Sequence, residues 1–117
     1  MPTIRELVAA IRQRDGVEAA IVLGRDGLLI DGQAVTNLDA EGLAAYVPPI
    51  ITAADEFGAA SQRGPLVTGV FEHPRGLVVV SVLSAETMLL VLVQPEANIG
   101  QLLFELRRNR EQMAALV

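Results

Sequence analysis

The chain has 117 residues, 51% of them hydrophobic and none of them cysteine, so it suits one domain over residues 1–117 and excludes disulfides, thiolate metal sites and cysteine nucleophiles. A net charge of −5 and a pI near 4.7 disfavour nucleic acid and anionic lipid, which are held mainly through Lys and Arg. The mean hydropathy of +0.42 exceeds that of a typical soluble domain and predicts an apolar area left for a partner.

Ile4, Leu7, Val8 and Ile11 recur at helical spacing between charged residues, which predicts an amphipathic helix from Pro2 to about Arg14, ended by Asp15-Gly16. Nothing in these first residues resembles an export signal, so a cytoplasmic protein is expected. Val17–Gly24 reads as an apolar strand, Arg25-Asp26-Gly27 as a tight turn and Leu28–Asp31 as the returning strand. Asn37 or Asp39 is placed to cap a middle helix with the apolar stripe Leu43, Val47, Ile50, Ile51, Ala54 and Phe57, running to about Ala60. Pro48-Pro49 removes two backbone donors there, so the spacing predicts either a kink near Tyr46 or two short helices with the prolines in the first turn of the second.

Gly64-Pro65 ends that element, and Leu66–Glu72 follows as a strand whose Thr68, Gly69 and Glu72 suit a sheet edge. After the turn His73-Pro74-Arg75-Gly76 come two strands, Leu77–Leu83 and Thr87–Val93, apolar on both faces and therefore central. The pair is not a membrane span, because Ser81, Ser84, Glu86 and Thr87 fall in its middle, where a charge costs about 3 kcal/mol. Asn98 caps a last helix with the stripe Ile99, Leu102, Leu103, Leu106, Met113 and Leu116 or Val117, and Arg107, Arg108 and Arg110 complement its C-terminal dipole.

The resulting order, α-β-β-α-β-β-β-α, is an α+β fold with a five-stranded antiparallel sheet, two helices on one face and one on the other. Five strands at ~4.8 Å span roughly 20–25 Å, and a helix covers about 10 Å, so the two faces need about four helices. The chain has three. A two-fold partner that supplies the missing helix and pairs its own edge strand across the axis, through Leu66–Phe71, would bury both the bare half-face and the open edge.

Val17-Glu18-Ala19-Ala20-Ile21-Val22-Leu23-Gly24-Arg25-Asp26-Gly27, together with Ala97-Asn98-Ile99-Gly100-Gln101-Leu102-Leu103 and the following Arg107-Arg108, resembles the Roadblock/LC7 family, which includes MglB-like polarity regulators. The resemblance implies a homodimer joined through the middle helix and third strand, and binding to a small Ras-like GTPase. In MglB-like members the dimer stimulates hydrolysis by its partner without inserting a catalytic residue. Pro48-Pro49 departs from the family pattern in the helix used for these contacts. The expected dimer and partner interface is Leu43, Tyr46, Val47, Ile50, Ile51, Ala54, Leu66, Thr68 and Val70.

Catalytic candidates dissolve on inspection. Asp26 before Gly27 is a turn residue, Asp55 and Glu56 point about 100° apart on a helix, and His73 beside Pro74 has no relay partner near it in sequence. Gly24, Gly27, Gly32 and Gly64 form no phosphate loop, so neither a nucleotide nor any other cofactor is expected. Arg63 is the arginine nearest the expected dimer surface, where a finger aimed at a GTPase would have to lie; the helical arginines read as a solvated flank. A GTPase regulator without its own active site is thus expected, with a non-enzymatic dimerisation scaffold as the alternative. A small-ligand sensor is the third class, for which Ser81 and Ser84 are the few buried polar candidates.

Overall fold

The structure, a computed structural model, describes residues 3–117. Helix α1 (Ile4–Arg12) is capped by the Thr3 hydroxyl, which accepts the Glu6 N–H at 3.2 Å, and buries Val8 and Ile11 of the expected stripe. Pro2, the expected start, lies outside the described residues.

Strands β1 (Val17–Gly24) and β2 (Leu29–Ala34) form a hairpin. Its turn is closed by the Asp26 carboxylate, which accepts the Leu28 N–H at 3.0 Å, and by Gly27 at φ +87°. The returning strand extends past the expected Asp31 because a bulge intervenes. Leu23 pairs with Leu29 and Val22 with Asp31, so Ile30 is the extra residue. The Asp31 carboxylate then turns back to accept the Gly32 N–H at 2.9 Å.

The middle helix divides into α2 (Ala40–Ala44) and α3 (Val47–Ala60). Ala45 (φ −65°, ψ −21°) and Tyr46 (φ −81°, ψ −13°) keep right-handed helical angles between them. The path is therefore nearly continuous, and what fails is hydrogen bonding: Pro48 and Pro49 have no N–H for the Ala44 and Ala45 carbonyls. Asp39 stands at the expected cap of α2 without making a side-chain cap bond. The Gly27 turn packs on this junction, where an added Cβ would meet Pro48 Cγ at 3.2 Å. At its other end α3 closes tightly, with the Arg63 and Gly64 N–H groups donating to the Gly58 carbonyl at 2.7 and 3.1 Å.

Strands β3 (Thr68–His73), β4 (Gly76–Val82) and β5 (Thr87–Val93) complete an antiparallel sheet of order β2-β1-β5-β4-β3. As expected, β5 is central, β4 is interior and β3 is an edge. Helix α4 (Ile99–Arg108) is capped by the Asn98 side chain, which accepts the Gln101 N–H at 3.3 Å. The single last helix expected from sequence bends at Asn109 (φ −106°, ψ 12°) into a short α5 (Arg110–Ala114), and Met113 of that turn enters the core. Asn is a weak helix former, so the bend costs little.

The sheet separates two cores. On one face Val22, Val79, Leu89 and Val91 pack against Val8 and Ile11 of α1, Leu102 and Leu106 of α4 and Met113 of α5. On the other, Ile21, Leu23, Val80, Met88 and Leu90 pack against Ala44 of α2 and Val47 and Ile51 of α3. The two-plus-one arrangement of helices matches expectation, with α2 and α3 acting as one kinked cover. No helix among the described residues is long and apolar enough to cross a membrane.

Candidate functional site

Helix α3 carries apolar residues on two sides. Val47 and Ile51, four apart, face the sheet and are each 1% exposed, while Ile50, Ala54 and Phe57, at i, i+4 and i+7, form a second stripe along the flank, half-buried at Ile50 and Ala54 and open to solvent at Phe57. Phe57 is 74% exposed and Tyr46, at the α2–α3 junction, also 74%. Val47 and Ile51, expected in a contact surface, are therefore core residues that no partner touches while the protomer is folded. Leu43, Ile50, Ala54 and Leu66 are half-buried and remain available at the margin.

The edge strand divides the expected surface again. Thr68 pairs with Ser81 and Val70 with Val79, which places both on the face covered by α1, α4 and α5, opposite to α3. The residues of β3 on the α3 side are Gly69 and Phe71, since Phe71 pairs with Val78. Phe71 is 40% exposed, and the exposed Val67 and Phe57 line a groove of about 550 Å³ whose α3 wall is Ala54, Phe57 and Ser61 and whose far wall is Arg63, Leu66 and Val67. Phe71 and Val67 were legible only from strand parity: a period of two starting from Thr68 sets Phe71 opposite to Val70.

The backbone of β3 is open along the same edge. Val82 donates to the Val67 carbonyl at 2.9 Å, which fixes Val67, Gly69, Phe71 and His73 as the residues bonded to β4. Thr68, Val70 and Glu72 consequently direct their N–H and C=O groups outward from the sheet.

The polar candidates serve local structure. Asp55 accepts the Leu66 N–H at 2.8 Å and lies 3.8 Å from Arg25 Nη1, whereas Glu56 is exposed, so the adjacent carboxylates have separate surroundings. Arg25 Nε donates to the Ala85 carbonyl at 2.7 Å and ties two turns together. His73 ends β3 opposite Gly76 on the exposed rim. Ser84 bonds Thr87 at 2.6 Å within its turn, and the buried Ser81 bonds Thr68 at 3.2 Å. Among the described residues no group of three or more His, Cys, Asp or Glu is placed to hold a metal. Arg107 and Arg108 are exposed, as expected of a flank, but Arg110 is not: it turns inward and its Nη2 donates to Thr68 Oγ1 at 3.2 Å.

The helix-flanked antiparallel sheet leaves the β3 edge open on the same molecule as an exposed apolar helix stripe, and the sequence comparison shows the family. A family model described as Roadblock/LC7 domain matches residues 3–93. The chain belongs to the Roadblock/LC7 family. The match ends with β5, so α4 and α5 lie beyond it. An uncharacterized protein of Methanocaldococcus jannaschii is 28% identical over 117 residues, covering 97% of this chain and 95% of its own length. A Roadblock/LC7 domain from Streptomyces avermitilis superposes with a TM-score of 0.85 at 22% identity over 97% of each chain. MglB of Myxococcus xanthus superposes at 0.86 with 11% identity, over 97% of this chain and 93% of the other. These structural likenesses concern the Roadblock/LC7 fold.

Proposed function

We propose that this Roadblock/LC7 chain is a homodimeric regulator or effector that binds a small Ras-like GTPase and biases its GTP hydrolysis. The observation that carries the reading is the second apolar stripe of α3, ending in the exposed Phe57, set beside the unpaired outer edge of β3. Large aromatics on an exposed surface suit a partner, because their burial supplies most of an interface's energy at a few points. The family resemblance supplies the partner's class. In this reading the dimer contributes a shaped surface, and the phosphate chemistry stays with the GTPase. Arg63, exposed at the groove, is the side chain nearest to a finger role.

The test is multi-angle light scattering on the chain alone, then with a small Ras-like GTPase loaded with GDP or a GTP analogue. A dimer that prefers the GTP-analogue form supports the regulator and leads to a hydrolysis assay. A dimer that binds both forms equally fits a non-enzymatic scaffold instead, and a monomer overturns the reading.

A further inference from the structure

Helix α4 meets the sheet through Leu102 and Leu106, yet Phe104 between them is 60% exposed. At about 100° per residue Phe104 points directly away from that core, with Arg107 and Arg108 one turn further on and to either side of it. Both arginines are exposed, and neither makes an ion pair among the described residues. An aromatic ring framed by two free cations thus stands out of a chain whose net charge is −5. One turn before the ring is Gly100, where an added Cβ would meet only Asn98 Oδ1, at 3.5 Å, so the space beside the ring is open.

Alongside the ring, α1 and α4 leave a groove of about 250 Å³ between them, lined by Leu7, Ala10, Leu106 and Met113. The two helices run antiparallel: Arg14, just after α1, is ion-paired with Glu105, and Gly16 lies against Ala97 at the start of α4. Arg108 is three residues from Glu105 and four from Phe104, so on the helix surface it stands between the groove and the ring. Among the described residues Glu105 is the acid that lines the groove, and its pairing with Arg14 offsets its charge. Glu6 and Glu111 stand toward the other end, beside Leu7 and Met113.

We propose that the α1–α4 groove and the adjoining Phe104 ring dock an acidic amphipathic helix of a partner protein, whose aliphatic side chains enter the groove and cover the ring while its carboxylates meet Arg107 and Arg108. Charge selects this occupant. Exposed guanidiniums accept carboxylates in paired hydrogen bonds, and a second copy laid parallel on this face would set Arg107 and Arg108 against their own equivalents. A flat anionic membrane would meet Glu6 and Glu111 on the same rim, whereas a helix needs its acids only at the Phe104–Arg108 turn. Length agrees as well, since Leu102 to Met113 spans roughly 16 Å, three turns of a docked helix. The site lies on the opposite side of the sheet from α3, so it stays open whether or not copies associate through α3.

The test is fluorescence anisotropy on the full-length chain with a labelled three-turn peptide of about 12 residues, leucines at i, i+3, i+4 and i+7 and glutamates between them. It is expected to bind at least about fivefold tighter than its glutamine counterpart at low salt, and the advantage should vanish at high salt. Joint Arg107→Glu and Arg108→Glu should reverse the preference, and Phe104→Ser should weaken both peptides about fivefold or more. These three side chains are exposed, so the variants keep their fold. Amide shifts on titration should gather in residues 4–10 and 100–108; shifts gathered on α3 overturn the site. Binding of neither peptide, equal binding of both, or undiminished binding of the acidic one by the arginine-reversed variant overturns the acidic partner. Phosphatidylglycerol vesicles that bind through Arg107 and Arg108 where the peptide fails overturn it in favour of a membrane surface. A concentration-dependent mass in light scattering that the arginine-reversed variant loses, again without peptide binding, overturns it in favour of a contact between copies.

Discussion

At position 51 the side chain is sealed inside the protomer, and at position 57 it faces water, although both are apolar residues of one helix. Ile51→Asp is therefore expected to unfold the chain, not merely to separate two copies, because a carboxylate would be buried without a partner at a cost of about 3 kcal/mol or more. Circular dichroism and urea denaturation check it; a folded monomer would contradict the burial. Phe57→Ser should do the opposite, leaving protomer stability within about 0.5 kcal/mol and weakening association by light scattering. Gly58 tolerates no side chain, since a Cβ there would stand 1.7 Å from the Gly64 carbonyl oxygen. Backbone must move to admit it, so Gly58→Ala is expected to cost about 1–3 kcal/mol or more, seen as a lower urea midpoint.

Elements were largely readable from the chain because their signals are local. Alternation, capping Asn98, the Asp26-Gly27 turn and glycine punctuation each act within a few residues. The proline pair announced a break but not its form, since helical angles at Ala45 and Tyr46 depend on how the junction seats against the Gly27 turn. The interface was less legible than the fold. A stripe written as Val47, Ile50, Ile51, Ala54 and Phe57 merges two faces of one helix, and which face meets the sheet is settled only by packing. Phe71 comes into view only when strand parity is counted from Thr68, and nothing local marks Arg110 as inward-facing, because Thr68 lies 42 residues away. Between helices, Arg14 of the α1–β1 connection is ion-paired with Glu105 of α4. Both side chains are partly exposed, so Glu105→Ala should cost no more than about 1 kcal/mol, and less in high salt. Paired thermal melts at low and high ionic strength would measure it.

For the molecule as a whole, association and folding should be linked by mass action. If two chains bury the α3 stripe and the β3 edge together, the thermal midpoint rises with protein concentration, and Phe57→Ser flattens that dependence. A wild-type midpoint that is the same across a hundredfold concentration range would speak against a dimer coupled to stability. The sheet has a second edge, and its construction differs from the first. Strand β2 carries the Ile30 bulge, and the Asp31 carboxylate has already taken the Gly32 N–H that would otherwise face outward. An edge bent and occupied in this way makes a poor template for another strand. Two chains joined at β3 would thus present only such edges at both ends of a shared sheet, and growth would terminate at a closed pair instead of continuing into a fibre.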